Sequence, residues 1–246
     1  IYWGDTANVT VTAAQALRIP LMGIMPHGAF TATLSDNAQS ISAAIESFTE
    51  GQSLSFNNFV VTDNESLTIS ASKLKTLDTL KPPGSWTSHN GVSITNLNGT
   101  NTSIKVTGTI AEFITAGIYS TTTGFATALT GDIGANLVSQ INSYQVTGEL
   151  SSADDITNLK NFINAVDSSK SYTADISLAS NSTLRTGGIS VAEFTNLADL
   201  DNTLTNTQLL ADSANTGFLI VDTADNIKTL ITSETASLVA AKDYIK

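Results

Sequence analysis

Residues 30–80 decide the fold. They carry Leu34-Ser35-Asp36-Asn37-Ala38-Gln39-Ser40-Ile41 running on to Ile45 and Phe48, then Leu54-Ser55-Phe56 and Val60-Val61-Thr62-Asp63, then Leu67-Thr68-Ile69-Ser70-Ala71 leading to Leu74, Leu77 and Leu80. Ala38, Ile41 and Ile45 keep the three- and four-residue spacing of a helix with one buried stripe. Leu67, Ile69 and Ala71 alternate with Thr68 and Ser70, the period of a half-buried strand, before Leu74 and Leu77 return to helical spacing. One unit therefore reads helix, strand, turn, strand, helix.

Both halves of that unit recur. Leu34-x-Asp36-x-Ala38-x-x-Ile41-x-x-x-Ile45 returns as Ile220-x-Asp222-x-Ala224-x-x-Ile227-x-x-x-Ile231. Looser copies are Leu129-x-x-Asp132-x-Gly134-x-x-Leu137-x-x-x-Ile141 and Ser151-x-Ala153-x-x-Ile156-x-x-Leu159, continuing to Phe162 and Ile163. Asp63-x-x-x-Leu67-Thr68-Ile69-Ser70-Ala71 matches Asp5-x-x-x-Val9-Thr10-Val11-Thr12-Ala13 without a gap, with echoes at 104–108 and 189–194. Asp36, Asp132 and Asp222 each stand one step before a helical stripe, where an N-cap belongs. Gln39 and Asp225 fall three residues further on, where a capping box closes. Metal ligation shared between stacked units is the competing use of these aspartates; capping accounts for them without a metal.

Self-similarity over tens of residues marks arrays in which neighbouring units complete each other's core. The fold expected is an α/β repeat protein of stacked helix-strand units, either solenoid-like or two small lobes with mixed sheets. The break at Lys81-Pro82-Pro83-Gly84-Ser85-Trp86 divides it into a first repeat lobe, 1–85, holding the complete unit 30–80, and a second, more degenerate lobe, 86–246, ending in a half unit. Residues 19–30 read as an ordered connector and 92–110 as a hairpin across Asn98-Gly99. Helices are expected over 113–119, 135–144 and 192–210, with an interruption around Asp201, and a strand over 172–178. The chain opens at Asp5 in the second half of a unit and closes at Tyr244-Ile245-Lys246 in a first half. The partners expected are therefore further repeats of a longer chain or copies of itself joined head to tail.

Composition narrows the function. Charged residues make up only 13% of the 246, while Ser and Thr supply roughly a quarter, a surface common on secreted proteins. A net charge of −11, with only 11 Lys and Arg, argues against nucleic acid and anionic lipid, both of which need a basic patch. The absence of cysteine removes disulfides, thiolate zinc sites and cysteine catalysis. No apolar run approaches the roughly 18 residues of a membrane-spanning helix.

Chemistry finds little footing. His27 and His89 are isolated, no G-x-S-x-G occurs, and two lone histidines make no zinc site. Asp154-Asp155, the adjacent acidic pair, falls in the first turn of an expected helix and complements its dipole. Asp199 and Asp201, with Asn202 next, resemble a fragment of a Ca²⁺ loop without the glycine and closing glutamate. The sequons at Asn8, Asn64, Asn98, Asn101 and Asn181 match the number chance gives in so Ser/Thr-rich a chain. Thr121-Thr122-Thr123 reads as a polar loop, and Trp3 and Trp86 as interface or core fillers. No catalytic, cofactor-binding or metal-ligating residue is assigned, and no cofactor is expected, with Ca²⁺ the one metal left open.

The Asp-x-Ala-x-x-Ile unit followed by Leu-Thr-Ile-Ser-Ala resembles the degenerate repeats of large exported bacterial surface proteins: type I-secreted adhesins, hemolysin-like repeat proteins and S-layer-like proteins. The resemblance is clearest over 30–80 and 218–246, and the glycine-rich Ca²⁺-binding nonapeptides common in such proteins are missing. It implies an extracellular or cell-surface protein with a structural or adhesive role. The function expected is a non-enzymatic structural protein that self-assembles into a surface layer, filament or adhesive stalk. A glycan- or surface-binding adhesion module is the alternative.

Overall fold

The computed structural model describes residues 8–18, 31–48, 56, 58–79, 93–126, 134–179, 184, 187–204, 209–210, 217–233 and 235–245. They group into two units, 1–144 with 168–171, and 145–167 with 172–246. The connector at 19–30, the break at 81–86 and Asp132 lie outside the described residues.

In the first unit, β1 (Asn8–Val11) is followed by the single-turn helix α1 (Ala13–Ala16), and β2 (Thr31–Asp36) by α2 (Ala38–Ser47). Next come β3 (Asn58–Val61), β4 (Leu67–Ser70) and α3 (Ala71–Thr79), then β5 (Ser93–Asn96), β6 (Ile104–Gly108) and α4 (Ile110–Thr115). A two-residue ribbon, β7 (Tyr119–Ser120) with β8 (Gly124–Phe125), precedes α5 (Gly134–Gln140) and β9 (Ile141–Leu150). The chain passes into the second unit along β9. There it forms α6 (Ala153–Ala165), β10 (Ser171–Leu178), α7 (Val191–Thr203), α8 (Ala224–Thr232), α9 (Ala236–Ala241) and a closing 3-10 turn, Lys242–Tyr244.

The mixed α/β class expected from the alternating periods is what forms: helices interspersed with two four-stranded sheets and the small ribbon. The first sheet runs β1-β2-β3-β5, each pair parallel. Its register sets Leu34 opposite Phe59 and Phe59 opposite Ile94, a row of side chains all fully buried. The second sheet runs β10-β9-β6-β4, and β4 pairs with β6 in parallel, Leu67 opposite Ile104 and Ile69 opposite Val106. All four of those residues are fully buried as well. Each such side chain removed from water contributes about 2 kcal/mol, so these two stacks, with Ile41, Leu74 and Phe113, anchor the first unit.

From β3 onward the chain visits one sheet and then the other: β3 to β4, then β5 to β6. This corrects the hairpin expected at 92–110. The turn is real: Asn96 N–H donates to the Thr100 carbonyl at 2.8 Å, and Gly99 takes a φ of 74°, which glycine adopts without steric cost. Yet β5 and β6 leave it for different sheets, because Ile94 and Ile104 each find a buried parallel partner one rung back. The pairing of β3 with β5 also joins residues on either side of the 81–86 break.

Helix α2 guards the edge of the second sheet. Its Ser42 Oγ accepts from Thr68 N–H at 2.9 Å, and Glu46 accepts from Ser70 N–H at 2.6 Å and Ser70 Oγ at 2.9 Å. Those donors on β4 would otherwise offer an open edge to another chain. The expected helix over 135–144 stops at Gln140, and Ile141 opens a ten-residue strand that turns Tyr144, Val146 and Leu150 inward. In the second unit Ile156, Leu159, Phe162, Phe194, Leu197 and Phe218 form the core, with the Phe194 and Phe218 rings edge to face at 5.8 Å.

Candidate functional site

The recurring aspartates lead to a geometry that repeats among the described residues. In the first sheet, the helices after β1 and β2 each begin with a capping residue. Thr12 Oγ1 accepts from Gln15 N–H at 3.3 Å, and Asn37 Oδ1 from Ser40 N–H at 2.8 Å. In the second unit Ser190 Oγ accepts from Glu193 N–H at 3.2 Å and Thr223 Oγ1 from Asn226 N–H at 3.3 Å. The N-caps of α2 and α8 are therefore Asn37 and Thr223, one residue after the expected Asp36 and Asp222. Gln39 and Asp225 close no capping box; the residues three beyond the true caps are Ser40 and Asn226.

The aspartates instead reach sideways. Asp36 Oδ2 accepts from Ala13 N–H, the first helical residue of the neighbouring strand-helix pair, at 3.1 Å. Asp63 Oδ1 accepts from Ala38 N–H at 3.0 Å, and Asp222 Oδ2 from Val191 N–H at 2.9 Å. The register is the same in all three. Val11 pairs with Leu34, Asp36 with Val61, and Ile189 with Ile220; two residues beyond each pair the amide meets the carboxylate. Each aspartate thus satisfies an N–H that its helix cannot, and sets a negative charge at a helix start, where the peptide dipoles favour it. The other oxygen of Asp36 accepts from Asn37 N–H and Nδ2, and that of Asp222 from Thr223 N–H and Asn226 Nδ2. Led by the Asn226 amide, then Val191 and Thr223, these bonds hold Asp222 below the ordinary carboxylate range.

The remaining acidic candidates are engaged separately. Asp155 closes a capping box with Ser152 and also accepts from the Ser151 N–H and Oγ at 2.8 Å each. Burial opposes its charge, but the Ser151 and Ser152 bonds outweigh burial and lower its pKa. Asp154 shares the first turn of α6 with it. Asp199 and Asp201 stand two residues apart on α7, which turns them to opposite sides of a helix. Asp199 takes Lys160 Nζ at 3.3 Å and Ser237 Oγ at 3.0 Å, while Asp201 accepts from Leu210 N–H at 3.3 Å. Among the described residues no three His, Cys, Asp or Glu side chains gather into a metal-sized cluster, and no helix is long and apolar enough to cross a membrane. His27, His89, Trp3, Trp86 and Asn181 lie outside the described residues. Asn64, Asn98 and Asn101 are exposed, as are Thr121, Thr122 and Thr123 at the β7–β8 turn.

Sequence reasoning missed four capping boxes, Thr12/Gln15, Thr109/Glu112, Ser152/Asp155 and Ser190/Glu193, although their spacing is a sequence-level signal. Comparison with known proteins adds no relative: no family model, curated protein or solved structure matches the chain.

Proposed function

We propose that the chain is a stacked α/β repeat protein, non-enzymatic and extracellular, that assembles into a surface layer, filament or adhesive stalk. One observation carries the reading: the same strand-cap-helix step, tied to its neighbour by an aspartate in the same register, occurs three times across both units. A step of that kind is translational. Each strand offers its edge and each helix start offers an N–H to the next strand along, which is how repeat arrays propagate. The Ser/Thr-rich, sparsely charged surface and the resemblance to exported surface proteins support placement outside the cell. Parallel rows such as Leu34-Phe59-Ile94 give the stack continuity along its length.

Sedimentation and negative-stain microscopy over a wide range of concentrations test the proposal. Ordered, concentration-dependent polymers are expected. A monomer at every concentration that binds components of a glycan array would replace assembly with recognition.

A further inference from the structure

The first sheet has two unlike faces. Its row Leu34, Phe59 and Ile94 is fully buried, and α1 and α2 pack against β2 and β3. Each of these helices joins neighbouring parallel strands, and right-handed crossovers, the rule for such connections, put both on one side of the sheet. Side chains alternate along a strand, so the residues between those of the buried set point to the other side. There the register sets Thr10 opposite Thr33 and Thr33 opposite Asn58. In the next row it sets Ser35 opposite Val60 and Val60 opposite Thr95. Thr10 is exposed and the other five are half-buried, in contrast to the row behind them. Among the described residues no hydrogen bond engages the side chains of Thr10, Thr33, Ser35, Asn58 or Thr95.

An all-parallel sheet ordinarily has both faces covered by helices, and its strands then read as unbroken apolar runs. These strands alternate instead, and the second face carries hydroxyls and a carboxamide around one valine, with no charged side chain in either row. Hydroxyls and carboxamides both donate and accept, so they pair best with groups that also do both. Alcohols meet that condition; phosphates, carboxylates and ammonium groups do not. Rows spaced ~4.8 Å across the strands and ~6.7 Å along them make an open, regular surface. Such a surface encloses no small molecule and suits an extended ligand, the use to which repeat arrays put their exposed faces.

We infer that this face of the first sheet binds a neutral polysaccharide, whose hydroxyls pair with Thr10, Thr33, Ser35, Asn58 and Thr95. Val60, between Ser35 and Thr95, gives the C–H face of a sugar ring an apolar contact. Each hydrogen bond exchanged with water contributes little, so affinity comes from a polymer long enough to meet all five groups. The inference goes beyond assembly and does not depend on it; an assembled array would repeat the face and multiply its hold on one polymer.

Retention of the wild-type chain on cellulose, chitin and mannan, with polygalacturonate as an acidic comparison, tests the inference. Retention on at least one neutral polymer is expected, unchanged between about 0.05 and 0.5 M salt because no charge takes part, with none on polygalacturonate. The triple variant Thr10→Val, Thr33→Val and Thr95→Val keeps side-chain shape and strand preference while removing three hydroxyls. Its retention should fall about a hundredfold, roughly fivefold for each lost hydrogen bond, with no fall in its unfolding transition. Thr121→Ala, Thr122→Ala and Thr123→Ala together remove as many hydroxyls from an exposed turn and should leave retention unchanged. Retention on none of the neutral polymers, or retention that survives the triple valine variant, overturns the inference. Self-association lost in that variant, with no polymer retained by the wild type, would assign the face to a second copy instead. A chain that assembles and is retained by no neutral polymer sinks this inference alone, and a retained chain that never assembles sinks assembly alone.

Discussion

Replacing Asp36 by alanine tests the aspartate geometry at its most legible point. The carboxylate accepts from Ala13 N–H at 3.1 Å through one oxygen and from Asn37 N–H at 2.9 Å through the other. Ala13 is 4% exposed, so water replaces the lost partner poorly, and leaving such a donor unsatisfied costs about 1–3 kcal/mol. Asn37 N–H lies at an exposed site and water takes over its bond. The expected loss is therefore about 2 kcal/mol, or a fall of about 1 M in the urea midpoint for a slope near 2 kcal/mol per M. Asp36→Asn keeps one acceptor and is expected to lose less than half of that. Amide exchange locates the damage: Ala13 should lose protection while Ser40, capped by Asn37, keeps it. Loss of protection at Ser40 with Ala13 unaffected would mean that Asp36 caps its own helix after all. A loss seen only in the presence of Ca²⁺ would make the aspartate a metal ligand. Either result refutes the reasoning.

Other expectations rest on the same geometry. Asp155 and Asp222 titrate below their ordinary value in the folded chain, so each contributes stability that is present above the unfolded carboxylate pKa and lost as pH falls through the lowered one. Acid unfolding tracked by circular dichroism should accordingly be less steep below pH ~4 in Asp155→Asn than in the wild type. Gly188→Ala should destabilise by about 1–3 kcal/mol in chemical denaturation, because Gly188 has a φ of 79° and an added Cβ would sit 2.6 Å from Val221 Cγ2. Gly99→Ala, at a φ of 74° with nothing within 4 Å, should cost only the backbone term, about 1 kcal/mol. Copies carrying a net charge of −11 repel one another, so sedimentation should show association strengthening as salt rises from about 0.01 to 0.15 M, where the Debye length falls from about 30 to 8 Å.

The parts of the fold that can be read from sequence are those where period and burial agree locally. Leu67, Ile69 and Ala71 alternate, Leu74 and Leu77 step at helical spacing, and all five are buried as that pattern requires. Strand β9 escapes such a reading because Leu137 and Ile141 stand four apart, which extends the helical pattern past Gln140; the inward set Tyr144, Val146 and Leu150 becomes a signal only once β6 lies alongside. Asp36-Asn37 and Asp222-Thr223 each offer two adjacent residues able to cap. Sequence cannot choose between them, since the choice depends on an amide that the neighbouring strand brings within reach. Asp155 reads as a complement to a helix dipole, and Ser152 three residues before it is the signal that identifies a capping box.

Why the two copies of one motif differ in burial bears on how strong any assembly can be. Residues 34–45 and 220–231 carry the same aliphatic, Asp and Ala pattern at the same spacing, so that pattern alone does not explain why Ile45 is buried and Ile231 exposed. The difference lies in what packs on the helix: α2 lies against β4, to which Ser42 and Glu46 also bond, whereas α8 lies against α7. Covering Ile227 and Ile231 would return about 3–5 kcal/mol, and an acceptor for Ala224 N–H about 1 kcal/mol more. Joining two free chains costs at least about 4 kcal/mol in lost translation and rotation. Those terms nearly cancel, so the stripe and the cap by themselves would hold two copies only weakly. Any assembly through this face must therefore draw on further contacts. Ile231→Ala should accordingly weaken association, read by sedimentation, only about tenfold, the equivalent of ~1.4 kcal/mol. A complete loss of association would mean that the stripe alone carries the contact.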